Sequence, residues 1–293
     1  MTIATEGLSK RYGKSAALDS VTFSVPKGSI SALVGKNGAG KSTLLHILAG
    51  LTRADSGKIQ VDGSPPSQDP HWLSGVGFVD QVASMPSNLT PLGLSKVGRD
   101  LNSTWRQDKL LLRLDELEIP SGRRISKLSG GQKHAVAVLM ALAKEPSVLL
   151  LDEPLASLDP ITRRALLGIV LSYAYEKTAA ILLSSHLVGD LERGCDHIVL
   201  LSNGTVLLSQ TTEELLGSHF WAANSNENRT LIRRIFNSPS DYFIEMDAKL
   251  LVCSSNESLR YQLEARSAGL EEIVIARMTG KRVTAETTKA SEA

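Results

Sequence analysis

A glycine-rich stretch near the start of the chain has the composition of a phosphate-binding loop. Residues 35–42 read Gly-Lys-Asn-Gly-Ala-Gly-Lys-Ser and fit the pattern G-x-x-x-x-G-K-[ST]. The glycines let the backbone wrap phosphates with its N–H groups pointing inward, Lys41 reaches the β- and γ-phosphates, and the Ser42 hydroxyl can bind Mg²⁺. The predicted phosphate-binding residues are Gly35, Lys36, Asn37, Gly38, Ala39, Gly40, Lys41, Ser42 and Thr43.

Two carboxylates follow an apolar run that predicts a buried parallel strand. Residues 148–153 read Val-Leu-Leu-Leu-Asp-Glu. An acid at the end of such a strand can reach Mg²⁺, and the next acid can lie beside a water molecule. Asp152 is therefore the candidate metal ligand and Glu153 the candidate general base. The alternative is that these acids cap a helix, as acids after strands often do.

A histidine ends another apolar run. His186 closes the stretch Ala-Ala-Ile-Leu-Leu-Ser-Ser-His, residues 179–186. The carboxyl end of a sheet strand is where ligands bind in open α/β folds. His186 is either a donor to a γ-phosphate or a structural histidine.

A second glycine cluster precedes a predicted helix. Residues 128–132 read Leu-Ser-Gly-Gly-Gln. Helix N-termini attract anions because their first N–H groups lack partners, so Ser129, Gly130, Gly131 and Gln132 form a candidate second phosphate cradle.

Three further residues have both a functional and an ordinary interpretation. Gln81 follows a predicted strand and is either a site residue or a polar loop residue. Asp159 precedes Pro160, a pair that an N-cap with proline at the first helical position explains without function. Tyr12 could stack on a base or be an ordinary turn aromatic.

The elements that must position these residues alternate between strands and helices. Short strands are predicted around residues 30–35, 76–79, 148–151 and 179–186, helices follow the phosphate loop and Asp159, and Asn203-Gly204 predicts a hairpin turn. This alternation implies an α/β fold with a mostly parallel sheet covered on both faces. Residues 82–144 are predicted as a helical insertion, 217–280 as a small α/β accessory domain, and 281–293 as a disordered tail.

Composition restricts the class of protein. The chain has 293 residues, 42% of them hydrophobic, and 32 basic against 31 acidic residues. A net charge of +1 gives no global electrostatic footprint for nucleic acid, so no nucleic-acid partner is expected. No secretion signal is predicted, and no apolar stretch reaches the ~18 residues of a membrane span. The two cysteines are predicted to be isolated thiols in a reducing cytosol.

A series of motifs resembles the ATP-binding subunit of ABC transporters. In order along the chain these are the phosphate loop, Gln81, Leu-Ser-Gly-Gly-Gln, Leu-Leu-Leu-Asp-Glu-Pro, Ser-Leu-Asp and Ser-Ser-His. The resemblance covers about residues 1–216, and residues 128–132 are its most specific part. It implies a P-loop ATPase core with a mostly parallel sheet, an antiparallel β subdomain and a helical insertion.

The resemblance also implies an ATP-sandwich dimer, in which residues 129–132 of one chain close over the γ-phosphate held by the other. The partner would be a second copy or another ABC ATPase chain, and the ligands ATP and Mg²⁺. By position, Tyr12 would stack on adenine, Gln81 would approach Mg²⁺ and the attacking water, and Asp159 would contact the partner. Glu153 would be the catalytic base and His186 the switch histidine.

The sequence departs modestly from the family pattern. Asp80 stands where a proline often precedes the glutamine, and Lys133 and His134 follow residues 128–132 where an arginine is common. Neither departure removes a group that the mechanism needs.

One cassette without a membrane span implies a separate polytopic permease chain and a cytoplasmic, peripheral location on the inner face of the membrane. The chain is similar to bacterial drug- and antibiotic-exporter subunits, so export of a drug, antibiotic or lipid-like substrate is expected. The alternatives are an importer subunit and a soluble ATPase switch acting on nucleic acid or protein. A non-hydrolysing scaffold is disfavoured by the presence of Glu153 and His186.

Overall fold

The computed structural model describes residues 2–186, 188–189, 192, 194–236, 238 and 240–284. The described residues divide into two compact units. Unit 1 holds those within 2–186 and 194–209, and unit 2 holds those within 187–193 and 210–284.

The secondary structure of unit 1 runs from β1 to residue 209 within β9, with a 3₁₀ turn at Ile125–Lys127. In chain order the elements are β1 (Ile3–Tyr12), β2 (Ser15–Val25), β3 (Ile30–Val34), α1 (Lys41–Leu48), β4 (Ser56–Val61), α2 (Pro70–Gly75), β5 (Val76–Val79), α3 (Pro91–Leu101), α4 (Gln107–Glu116), α5 (Gly130–Ala143), β6 (Val148–Leu151), α6 (Pro160–Lys177), β7 (Ala180–Ser185), β8 (His197–Ser202) and β9 (Thr205–Thr211).

The central sheet of unit 1 has six strands in the order β5-β6-β7-β3-β8-β9. The pairs β5–β6, β6–β7, β7–β3 and β3–β8 are parallel, which confirms the predicted mostly parallel sheet. Every residue of β3, β6 and β7 is buried, as expected where helices cover both faces of a sheet. The carboxyl ends of these strands therefore lie along one edge, where the candidate site residues follow them.

A second, antiparallel sheet has the order β2-β1-β4. The sequence pattern did not predict β1, because register shifts between Thr5 and Leu8, and again before Lys10, interrupt its alternation of buried and exposed side chains. The antiparallel subdomain itself agrees with the fold expected from the family resemblance.

Residues 82–144 contain α3, α4 and α5. Thr90 caps α3 by accepting the N–H of Gly93, with proline at the first helical position. Leu110 and Leu114 of α4 are buried at helical spacing, and α4 packs against α5. Further along, Asn203 and Gly204 adopt φ of 48° and 78°, as the predicted hairpin turn between β8 and β9 requires.

Unit 2 is a five-stranded antiparallel sheet with helices. Its elements are α7 (Thr212–Ser218), β10 (His219–Ala223), α8 (Asn226–Ile235), β11 (Tyr242–Met246), β12 (Lys249–Cys253), α9 (Glu257–Gln262), β13 (Arg266–Ser267), α10 (Leu270–Thr279) and β14 (Arg282–Thr284). The strand order is β13-β10-β12-β11-β14, and Phe220 and Phe243 are fully buried in the core.

Two boundaries differ from those expected from the sequence. Unit 2 begins at residue 210 rather than 217, because the capped helix α7 belongs to it. The predicted disordered tail begins with an ordered strand, β14, in which Val283 pairs with Phe243 of β11. That pairing depends on a strand 40 residues earlier, which local composition does not reveal. Residues 285–293 of the predicted tail lie outside the described residues.

Candidate active site

The predicted phosphate loop connects the buried strand β3 to helix α1. Gly40 has a φ of 105°, and a Cβ there would lie 2.5 Å from the Ala17 carbonyl oxygen, so only glycine fits. Lys41 is buried, and its Nζ donates to the carbonyl oxygens of Gly35 at 2.8 Å and Lys36 at 3.4 Å. The Lys41 side chain thus folds back over the loop, next to the predicted phosphate-binding site.

The tip of this loop is open to solvent. Lys36, Asn37 and Gly38 are exposed, whereas Ala39 is buried and donates its N–H to the Lys36 carbonyl oxygen at 3.1 Å. Ser42 and Thr43 lie half-buried in the first turn of α1. The exposed loop and the N–H groups of this first turn suit an anion.

Glu153 joins the phosphate loop to the histidine at the end of β7. Its Oε1 lies 3.4 Å from Lys41 Nζ, and its Oε2 lies 2.8 Å from His186 Nδ1. Because a carboxylate only accepts, Nδ1 of His186 carries the proton in this pair. Tertiary structure therefore brings Lys41, Glu153 and His186 together from three separate parts of the sequence, and Glu153 is almost completely buried there.

Asp152 is fully buried beside this cluster. Its Oδ1 accepts the Ser184 hydroxyl at 2.6 Å, whereas Oδ2 has no hydrogen-bond partner among the described residues. Burying a carboxylate oxygen without a hydrogen-bond partner costs free energy. Carboxylate oxygens are ligands of Mg²⁺, and they also accept hydrogen bonds from water bound to Mg²⁺. Asp152 therefore fits the metal-ligand role.

Ser184 is a site residue that the sequence analysis did not single out. Its Oγ accepts the Glu153 N–H at 2.8 Å while donating to Asp152. Glu153 has a φ of 47°, a left-handed conformation that costs about 1 kcal/mol for a residue with a side chain. The bond to Ser184 helps to hold that conformation. The only signal in the sequence was a polar residue at the end of a buried strand.

Gln81 is exposed, two residues after the end of β5. Its N–H donates to Asp80 Oδ1 at 2.7 Å, and the preceding Val79 carbonyl oxygen accepts the Asp152 N–H at 2.9 Å. The main chain thus places Gln81 at the same sheet edge as Asp152. In the part of the chain that the structure describes, the Gln81 side chain makes no hydrogen bond.

Residues 129–132 form the first turn of α5. Ser129 Oγ accepts the Gln132 N–H, and Gln132 Oε1 accepts the Ser129 N–H, each at 3.1 Å. This capping box satisfies the helix end locally. Among the described residues no hydrogen bond joins this turn to residues 35–43, so the two predicted phosphate cradles are separate within one chain.

The last two candidates are at the surface. Tyr12 ends β1 with an exposed ring, and Lys10 Nζ lies 5.5 Å from its centroid. Asp159 caps α6 by accepting the N–H groups of Ile161 and Thr162 at 3.0 Å. Hydrogen bonds from Thr162 lower the pKa of Asp159.

Comparisons with known proteins agree with this geometry. The family model described as ABC transporter matches residues 18–156. The chain is 30% identical over 307 residues to Nod factor export ATP-binding protein I of Mesorhizobium japonicum, covering 96% of this chain and 88% of that protein. It is 36% identical over 220 residues to a probable sulfate/thiosulfate import ATP-binding protein CysA of Chlorella vulgaris, covering 73% and 93%.

A solved structure described as the ATP binding subunit of an ABC transporter is also similar. It is 28% identical, with a TM-score of 0.64 over 73% of this chain and 92% of the other. Sequence, fold and site thus agree: the chain belongs to the ABC transporter family, as one of its ATP-binding subunits that hydrolyse ATP.

Proposed function

We propose that this subunit binds ATP with Mg²⁺ and powers export through a separate membrane permease, by closing an ATP-dependent dimer. The observation that carries the mechanism is the cluster at the carboxyl edge of the parallel sheet, in which the buried Lys41 and Glu153 meet the half-exposed His186. The residues around it supply each group that hydrolysis of a γ-phosphate needs.

The phosphate loop holds the triphosphate of ATP. Lys41 exchanges its contact with Glu153 for the β- and γ-phosphate oxygens, and Tyr12 stacks on the adenine. Ser42, Asp152 and Gln81 would hold Mg²⁺, which would neutralise charge on the phosphate oxygens.

Glu153 acts as the general base. It takes a proton from the water whose oxygen attacks the γ-phosphorus, and the bond to the ADP oxygen breaks. His186 holds the Glu153 carboxylate in place, because its Nδ1 lies 2.8 Å from Glu153 Oε2. When the phosphate binds, the Nδ1–H of His186 can turn from Glu153 and donate to one of the phosphate oxygens instead.

The second cradle acts on the ATP of a partner chain. A Cβ on Gly130 would meet nothing within 4 Å, so this face of the first turn of α5 has room for a ligand. Ser129, Gly130, Gly131 and Gln132 therefore close over the partner's γ-phosphate, and Asp159 contacts the partner. ATP shifts the population to the closed dimer, formed by two copies or with a second ABC ATPase chain.

An apolar groove in unit 1 receives the permease. It has a volume of about 550 Å³, and Val82 and Leu101 in its lining are 70% and 78% exposed. Phe78, Met85 and Trp105 complete an apolar wall. Val82 directly follows Gln81 in the chain. A movement of Gln81 would therefore also move the surface on which the permease docks. This docking would hold the chain at the cytoplasmic face of the membrane.

Export is favoured over import by the extent of similarity. The Nod factor export relative aligns with 96% of the chain, which includes most of unit 2, whereas the importer relative aligns with 73%. An importer subunit is the second candidate, because the importer relative has the higher sequence identity of the two.

None of the described helices is long and apolar enough to span a bilayer.

The groove provides a test of the partner. We expect the tagged chain, solubilised from native membranes in mild detergent, to co-purify with a polytopic membrane protein. Val82→Asp or Leu101→Asp should abolish recovery of that protein, because a charge would be buried in an apolar contact. Leu112→Asp is the matched control, since Leu112 is 57% exposed but lies outside the groove.

The outcomes separate the alternatives. Recovery only from the soluble fraction, with nucleic acid or a soluble protein, would contradict the transport role and leave the ATPase assignment intact. Once the permease is identified, inside-out vesicles distinguish direction: an exporter accumulates its substrate in them when ATP is added outside, whereas an importer empties them.

A further inference from the structure

Asp80 lies where three parts of the active site meet. It is the first residue after β5 and the last before Gln81. Val79, one residue earlier, is fixed to Asp152 through a main-chain hydrogen bond of 2.9 Å. Asp80 is thus the point at which the chain leaves the rigid sheet and enters the segment that carries Gln81.

One oxygen of Asp80 has two neighbours. Oδ1 accepts the Gln81 N–H at 2.7 Å, and it lies 3.4 Å from Nε2 of His46. His46 belongs to α1, one turn after Ser42, and its ring packs edge-on against Phe78 of β5 with centroids 5.5 Å apart. The carboxylate therefore faces both the Gln81 main chain and the helix that begins with Lys41.

We propose that Asp80 is a positioning residue for Gln81, and that its contact with His46 links Gln81 to the helix that carries Lys41 and Ser42. A displacement of α1 when phosphate binds would pass through His46 to Asp80 and so to the Gln81 main chain. This inference rests on the proposed role of Gln81 at Mg²⁺ and the attacking water.

A purely structural role predicts a different result. The side chains of Asp80 and His46 are 49% and 32% exposed, and polar contacts of this exposure contribute little to stability. Loss of the pair should therefore leave the melting temperature almost unchanged while it alters Gln81-dependent catalysis.

The test compares Asp80→Ala, His46→Phe and Gln81→Ala in the purified full chain. Phenylalanine keeps a ring against Phe78 but removes the ring nitrogen that lies 3.4 Å from Asp80. We expect Asp80→Ala and His46→Phe to lower ATPase kcat about five-fold and to raise the Mg²⁺ concentration for half-maximal rate, with KM for ATP unchanged. Asp80→Asn should be intermediate, because its amide oxygen still accepts the Gln81 N–H.

The decisive measurement is the double variant. Adding Asp80→Ala to Gln81→Ala should cause no further loss, because Asp80 acts through Gln81. Asp108→Ala is the control: it removes an exposed ion pair with Arg106 outside the site and should leave both kcat and the Mg²⁺ dependence unchanged.

Two results would overturn the inference. Multiplicative losses in the double variant would show that Asp80 acts independently of Gln81. An impaired Gln81→Ala beside an unimpaired Asp80→Ala would do the same while leaving the proposed function in place. If Gln81→Ala itself had normal kcat and Mg²⁺ dependence, both the role of Gln81 and this inference would be wrong.

Discussion

The Glu153 carboxylate and the Lys41 ammonium face one another in the site. Their atoms lie 3.4 Å apart in a buried site, where charges interact more strongly than in water. A triphosphate must draw Lys41 towards its own oxygens. Binding of ATP therefore changes the surroundings of the base as well as filling the loop.

Replacement of Glu153 by glutamine should separate binding from hydrolysis. We expect Glu153→Gln to lower ATP turnover by about 10²- to 10⁴-fold, the usual contribution of a general base. ATP affinity should be equal or higher, because Lys41 no longer has a carboxylate partner. Turnover by phosphate release and binding by equilibrium dialysis measure the two effects.

A matched control is available for this variant. Glu118 also has a left-handed backbone, with φ of 54°, but it lies in an exposed turn outside the cluster. Glu118→Gln should behave like the parent. Full turnover in Glu153→Gln would show that another group activates the water.

At the scale of elements, the first turn of α5 has two glycines in different surroundings. A Cβ on Gly131 would lie 2.8 Å from the Ser157 carbonyl oxygen, whereas one on Gly130 would be in open space. Gly131 therefore permits close packing of α5 on the segment before α6. Gly130 has no such packing reason to be glycine within one chain.

Alanine substitutions should distinguish these two glycines. Gly131→Ala should lower the melting temperature by several degrees, since the contacted atom is main chain and cannot move aside easily. Gly130→Ala should leave the melting temperature unchanged but impair ATP-dependent dimerisation, measured by size-exclusion chromatography with Glu153→Gln as background. Normal dimerisation of Gly130→Ala would argue against a partner phosphate at this turn.

At the scale of the whole molecule, unit 2 contains a buried histidine that should make stability depend on pH. His219 is fully buried; its Nδ1 lies 2.8 Å from the Leu215 carbonyl oxygen and its Nε2 lies 2.7 Å from the Tyr242 hydroxyl. Nδ1 thus carries the proton and Nε2 accepts. Burial lowers the pKa of His219 to about 4, although the hydrogen bond to Leu215 acts in the opposite direction.

The sign of the effect follows from proton binding. An unfolded histidine has a pKa of about 6.5, so the unfolded chain binds a proton that folded His219 does not bind between about pH 6.5 and pH 4. The free energy of unfolding should fall by about 3 kcal/mol across this window as the pH is lowered. At higher pH both states are neutral at this residue and the effect vanishes.

Urea unfolding followed by circular dichroism at pH 7.5, 5.5 and 4.5 measures this dependence. His219→Gln should be less stable than the parent at pH 7.5 and lose less stability on acidification. His71→Gln, at an exposed histidine in unit 1, should retain the parental pH profile. An identical profile in His219→Gln would mean that His219 titrates alike in the folded and unfolded states.

Much of the core could be predicted from local sequence. Val148–Leu151 and Ala180–Ser185 are mostly apolar runs that are too short for typical helices. They form the buried parallel strands that such runs favour. The glycines of residues 35–42 specify a loop because Gly40 needs a conformation that side chains disfavour. The buried strands and the phosphate loop depend on residues that are neighbours in sequence, so the residue pattern was sufficient to predict them.

Long-range contacts account for what the sequence left open. Ser184 bridges Asp152 and Glu153 from a strand that is adjacent only in space, and Asp80 faces His46 for the same reason. The ordered strand β14 exists because β11 pairs with it.

The sequence by itself determined the family, the phosphate loop and the identity of the acids, because each is specified by residue types at short spacing. Only the tertiary structure decided that Lys41, Glu153 and His186 lie together, with the first two buried, and that no hydrogen bond among the described residues joins the Ser129 turn to the phosphate loop of its own chain. The reason is physical: strand order in a parallel sheet determines which carboxyl ends are neighbours, and that order comes from packing of segments far apart in sequence.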